Sequence, residues 1–187
     1  MNLIGIIGKA GSGKNTVVGM INKHTRFRYR EISYAYQLKV VAAILLREPI
    51  SKFDDRKFKE SELGPEWGNM TVRDFLQRLG TDAIRNNLYY NTWVNVTFRD
   101  WTPDSNWIIT DVRMLNEAAA IKERGGKLIK VVRPGIDSGS HQSETELDFI
   151  QPDYTIINDA GFFEMELAVK TMLNYYANNP DTDSPRP

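Results

Sequence analysis

No cysteine occurs among the 187 residues. Disulfides, thiol catalysis and thiolate metal sites are thereby excluded, a usage that fits a reducing interior. Net charge is missing as well. Twenty-four basic residues balance twenty-four acidic ones, so the chain lacks the electrostatic excess expected of a protein that grips a nucleic acid polymer, and any basic site must be a local pocket. Long apolar runs are also absent. The nearest, VVAAILL at Val40 to Leu46, falls well short of the roughly 20 residues that span a bilayer. The first residues pass straight into an apolar strand with neither a basic region nor a small-residue cleavage site, so no leader is expected. The expectation is a soluble, cytoplasmic protein without membrane contact. No internal repeat is present, and the neutral composition leaves assembly open, a homodimer included.

What is there has the balance of a globular chain, with 41% hydrophobic and 26% charged residues. That composition suits one compact domain with a real core. Apolar runs at Leu3 to Ile7, Trp107 to Asp111, Lys127 to Val132 and Tyr154 to Ile157 read as buried strands, with a weaker one around Tyr29 to Ser33. Helical patterns lie between them, including one from about Gln37 to Arg47, one from Leu115 to Arg124 stopped by Gly125 and Gly126, and one from Phe162 to Tyr176. Thr71 followed by Asp74 resembles a capping box at another helix start, and Gly80 is expected to interrupt that helix. The charged stretch Glu48 to Gly68, with Pro49, Gly64, Pro65 and Gly68, reads as a mobile excursion. Alternation of strand and helix predicts an α/β fold of three layers, α/β/α, around a mostly parallel five-stranded sheet, with ligands beyond the carboxyl ends of its strands.

Gly8-Lys9-Ala10-Gly11-Ser12-Gly13-Lys14 fits the first seven positions of the pattern GxxxxGK[ST], in the strand–loop–helix setting that pattern needs. Glycines let successive backbone N–H groups turn onto a phosphate, the following helix presents its positive end, and Lys14 adds charge toward the outer phosphates. Asn15 stands where a hydroxyl residue normally ligates Mg²⁺, and Thr16 follows it. An amide oxygen would hold that ion through water, or Thr16 would serve a phosphate while an acidic residue elsewhere carries the metal.

Other constellations are polar and placed at element ends. LQRLGTDAIR puts Arg78, Asp82 and Arg85 around the expected glycine break, where a guanidinium fork suits phosphate. WIITDVRMLNE sets Asp111 at the end of a buried strand with Arg113 two residues on; Asp111 would hold magnesium through water or orient the nucleophile, or else cap the next helix. RPGIDSGSHQSETELD carries Arg133, His141 and Glu144 on a candidate lid of about 133–148 that would exclude water. This polar stretch is expected to stay out of the core. The tail from 177 to 187 is expected to be disordered.

The order of GKAGSGKNT, SYAYQLK, LQRLGTDAIR, WVN, DVRMLNE, HQSETE and DYTIIND resembles the deoxynucleoside monophosphate kinases of bacteriophage type, within the P-loop kinases. The resemblance covers roughly residues 1–176. It implies a single kinase domain with an acceptor-side helical insertion of about 36–100, and transfer of the γ-phosphate of ATP, with Mg²⁺, to a deoxynucleoside monophosphate. It implies that Lys14 and the loop hold the donor phosphates, and that Lys39, Arg78, Asp82, Arg85 and Arg113 bind the acceptor. The same fold and loop serve other small-molecule kinases, of phosphomevalonate or dephospho-coenzyme A type, and also nucleotide-driven switch proteins.

Overall fold

The computed structural model of the chain describes residues 1–136 and 146–179. The chain divides into two compact units, one formed by Met1–Ser33 with Trp101–Pro187 and the other by Tyr34–Asp100.

In the first unit five strands, β1 (Leu3–Ile7), β2 (Arg30–Ile32), β3 (Trp107–Val112), β4 (Lys127–Val132) and β5 (Tyr154–Ile157), form one sheet in the order β2-β3-β1-β4-β5. Every pairing is parallel. β1 is central and buried along its whole length, which explains why it reads as an unbroken apolar run rather than an alternating one. Helix α1 (Lys14–His24) carries the chain from β1 past β3 to β2, and the helix Leu115–Lys122 carries it from β3 past β1 to β4. These crossovers run in opposite directions, so right-handed connection puts their helices on opposite faces. Packing agrees. Ile4 and Ile6 join Val17 and Ile21 of α1 and Met165, Val169 and Met172 of the last helix, Phe162–Asn178, in one core. On the other face, a Cβ added at Gly5 would stand 2.6 Å from Ile121 Cδ1, so glycine lets the Leu115–Lys122 helix lie close. The result is the three-layer P-loop fold. The carboxyl ends of β1 and β3, where the chain turns in opposite directions, bound the crevice in which such sheets take ligands.

The first and last helices of this unit are also tied by charge. Glu166 lies 2.8 Å from Lys23 and 2.5 Å from His24, and hydrogen bonds from those side chains pull its carboxyl down to about 2. The last helix continues through Asn178, so the segment expected to be disordered begins inside it; residues 180–187 lie outside the described residues. Leu147 is buried, correcting the expectation that the polar stretch ending at Asp148 keeps clear of the core.

The second unit is helical. It holds α2 (Tyr34–Leu46), α3 (Arg56–Glu60), α4 (Val72–Gln77) and α5 (Thr92–Thr97); the Leu115–Lys122 helix is therefore α6 and Phe162–Asn178 is α7. The stretch Glu48 to Gly68 folds, contrary to expectation. Phe53 is fully buried with Ala42, Val72 and Phe75, and Phe58, Leu63 and Trp67 pack around them. Phe53 meets Phe58 edge-on at 5.3 Å and Trp67 meets Phe75 at 5.2 Å. Charge and Pro/Gly content outweighed these four spaced apolar residues in the sequence, because their partners lie on α2 and α4. The Thr71–Asp74 capping box forms as read. Gly80 does not break the helix that follows it. Arg78–Asn86 continues α4 as a π-helix; Gly80 packs so closely on Leu38 that a Cβ would be 2.8 Å from its Cδ2, and its carbonyl accepts from Trp93 Nε1 at 2.9 Å. The glycine serves close packing, and π-helical turns recur at functional sites.

Candidate active site

The loop between β1 and α1 owes its shape to positions where a side chain cannot fit. A Cβ at Gly8 would lie 2.6 Å from the Val131 carbonyl oxygen, and Gly13, the residue before α1, has φ +101°. The turn Lys9–Ser12 closes with a backbone hydrogen bond of 3.2 Å. Lys14 folds back across the loop, its Nζ donating to the carbonyls of Gly8 (2.7 Å) and Lys9 (2.8 Å). The first turn of α1 contains no acidic residue, so no carboxylate of that turn offsets the partial positive charge at its N-terminus. Asn15 is exposed there and Thr16 half-buried. The Ser12 hydroxyl is buried and has no hydrogen-bond partner among the described residues.

Register brings the second group of residues to the same edge. Ile7 pairs with Val112, so the loop leaves β1 beside the point where Asp111 and Arg113 leave β3. Ser33, just past β2, donates to Asp111 Oδ2 at 2.7 Å, and Thr110 Oγ1 donates to the Ile32 carbonyl at 3.3 Å. Asp111 is not the cap of α6. That place is taken by the buried carboxylate of Glu117, which accepts from the backbone N–H groups of Arg113 (2.9 Å) and Met114 (3.1 Å). Glu146 accepts from the next one, Leu115 N–H, at 3.1 Å. Two carboxylates thus occupy the α6 N-terminus and hold the backbone from which Arg113 projects.

The strap after β4 also reaches the loop. Lys9 Nζ donates to the Ile136 carbonyl at 3.4 Å, while Arg133 is exposed; His141 and Glu144 lie outside the described residues. Asn158, directly after β5, donates from Nδ2 to the Ser12 carbonyl at 2.9 Å.

In the helical unit Lys39 is paired with Asp54 at 2.6 Å. Arg78 and Asp82 are exposed on the π-helix, whereas Arg85 is buried with its guanidinium 5.6 Å above the Tyr90 ring. The three residues therefore do not share one face, because the π-helical turn changes the angular spacing that an ordinary helix would give. Ser33, Glu117, Glu146 and Asn158 were given no role in the sequence reading. Each lies inside a quoted segment; Ser33, Glu146 and Asn158 make their contacts with residues of other segments, so no local signal marks them, whereas Glu117 caps within its own segment, at the third position after Met114, where a local capping pattern could have found it.

The family model described as deoxynucleotide monophosphate kinase matches residues 48–169. A protein of Acanthamoeba polyphaga mimivirus, named provisionally as a deoxynucleotide monophosphate kinase, is 34% identical over 175 residues, covering 85% of this chain and 89% of that protein. The deoxynucleotide monophosphate kinase of Enterobacteria phage T4 is 34% identical over 109 residues, covering 55% of this chain and 45% of the phage protein. The matched stretch is thus less than half of that relative. Among solved structures, the dephospho-CoA kinase from Campylobacter jejuni has a TM-score of 0.46 at 14% identity, with 93% of this chain and 96% of that chain covered; a likeness at that level supports no functional argument.

Proposed function

This chain belongs to the deoxynucleotide monophosphate kinase family, and we propose that it moves the γ-phosphate of ATP to the 5′-phosphate of a deoxynucleoside monophosphate, giving the diphosphate and ADP. The observation that carries this reading is the loop from Gly8 to Lys14, with Gly13 at positive φ and Lys14 drawn over it, beside Asp111 and Arg113. The family supplies the acceptor class.

Transfer of a phosphoryl group asks little covalent chemistry of the protein and much positioning and neutralisation of charge. The loop amides and Lys14 hold the donor's outer phosphates, and the buried Ser12 hydroxyl lies within the same loop. Arg113, whose backbone N–H the Glu117 carboxylate holds, serves the acceptor phosphate; Lys39, Arg78, Asp82 and Arg85 are acceptor candidates by the family resemblance alone. A phosphate monoester is already anionic at neutral pH, so no strong base is needed. Asp111, oriented by the Ser33 hydroxyl, is accordingly a positioning or metal-holding group. Asn15, Thr16 and Asp111 offer oxygen donors of the kind Mg²⁺ takes, and among the described residues no cluster of three His, Asp or Glu forms a protein cage. That donor set suits an ion carried mainly by nucleotide phosphates and water. Mg²⁺ supplies, when bound, neutralisation of the β- and γ-phosphate oxygens.

Acceptor choice tests the reading. With ATP and Mg²⁺, the four common deoxynucleoside monophosphates, dephospho-coenzyme A and phosphomevalonate are offered separately and ADP release is followed. Stimulation by one or more of the deoxynucleotides is expected; stimulation by dephospho-coenzyme A or phosphomevalonate alone contradicts it.

A further inference from the structure

Asn158 is tied to two strands' worth of structure at once. Its backbone N–H donates to the Val132 carbonyl at 2.7 Å, extending the β4–β5 ladder by one step, and its side-chain amide donates to the Ser12 carbonyl at 2.9 Å, across 146 positions of sequence. Because the acceptor is a carbonyl, only the nitrogen end of the amide can face it. A Cβ on Gly13 would stand 2.7 Å from Asn158 Nδ2, so a residue with no side chain at position 13 is what allows this approach.

A trans peptide group is planar, with its C=O and N–H on opposite sides. Holding the Ser12 carbonyl toward Asn158 therefore turns the Gly13 N–H to the other side of the chain. We propose that Asn158 is a positioning residue that presets the Ser12–Gly13 peptide, so that the Gly13 N–H faces the donor's phosphates before they arrive. The proposal rests on the reading of the loop as the donor site. It assigns to the segment after β5 a part in phosphate binding without any contact of its own with the ligand.

The test is calorimetric titration of the full chain and of Asn158→Ala and Asn158→Asp with three probes: ATP, inorganic tripolyphosphate and a deoxynucleoside monophosphate. Loss of one hydrogen bond that preorganises the loop should weaken ATP and tripolyphosphate by the same factor, about 3- to 10-fold, and leave the monophosphate unchanged. Asn158→Asp keeps the side-chain shape and the bond to Val132 but sets a carboxylate against the Ser12 carbonyl, and should weaken both polyphosphates at least as much. Loss of ATP binding with tripolyphosphate unaffected would mean that Asn158 touches the nucleoside and overturns the proposal, as would unchanged binding of both. Equal weakening of all three probes with a lowered melting temperature would mean a merely structural role and overturns it too. Tripolyphosphate binding does not depend on which acceptor is phosphorylated, so failure of the kinase reading and failure of this proposal are separable.

Discussion

Replacing Glu117 by alanine tests how Arg113, the arginine proposed for the acceptor side, is held. The carboxylate is buried and accepts from two backbone N–H groups, those of Arg113 and Met114. Each donor left without a partner costs about 1–3 kcal/mol, so the pair costs roughly 2–6 kcal/mol, a large share of the roughly 5–15 kcal/mol that holds a domain together. For a chain of this size each kcal/mol lowers the melting temperature by about 2–4 °C, and a fall of roughly 4–24 °C is expected. Glu117→Gln keeps one oxygen acceptor but loses the negative charge at the start of α6, and should fall between alanine and wild type. Urea unfolding supplies the energies, and a coupled ADP assay reports whether the surviving folded fraction has lost acceptor affinity. A Glu117→Ala protein within about 0.5 kcal/mol of wild type and with an unchanged acceptor KM would refute the reasoning, since both donors would then have found other partners.

Other outcomes follow from the same structure. Lys14→Ala removes the charge drawn over the loop and should cut turnover about 10²- to 10³-fold in a folded protein; near-normal ADP production contradicts the loop's role. Arg113→Ala should raise the acceptor KM while leaving ATP affinity intact, and equal weakening of both ligands by titration would place it elsewhere. Phe53→Ala empties the centre of the small core in the helical unit and should cost about 3–5 kcal/mol in urea unfolding, whereas a change below about 1 kcal/mol would mean that the stretch from Glu48 to Gly68 is not packed. Glu166 has its carboxyl lowered from an ordinary value of 4.5 to about 2, so its ion pairs stabilise the fold fully above pH 4.5 and lose that effect as pH falls toward 2. The stability gap between wild type and Glu166→Gln should be level near neutrality and close over that acid window; a gap that widens on acidification contradicts the pairing.

The parts legible in the sequence are those whose signals are local. The Leu3–Ile7 strand, the glycine loop and the helix after it sit in consecutive residues, and the alternation of later strands with helices was enough to place Asp111 and Arg113 at the carboxyl edge of a parallel sheet. The Thr71–Asp74 cap was legible for the same reason. What was misread depends on distant partners. Phe53, Phe58, Leu63 and Trp67 look sparse among lysines and acids until α2 and α4 are folded against them. Gly80 has the local mark of a helix break, yet Leu38 and Trp93 decide its role. The cap of α6, left open as an alternative role for Asp111, is instead made locally by Glu117, which lies on the first turn of α6 and reaches back to Arg113 and Met114. Asn158 gives no local hint at all, since its partner is Ser12.

The central claim is a direct transfer from ATP to a deoxynucleotide. Protein in molar excess over ATP labelled at the γ-phosphate, mixed with Mg²⁺ and a deoxynucleoside monophosphate that stimulates ADP release, is quenched after a single turnover and its products separated chromatographically. The account predicts that the label appears in the β-position of the deoxynucleoside diphosphate, in step with ADP. Label recovered only as orthophosphate would contradict it and leave a nucleotide-hydrolysing protein with no phosphate acceptor.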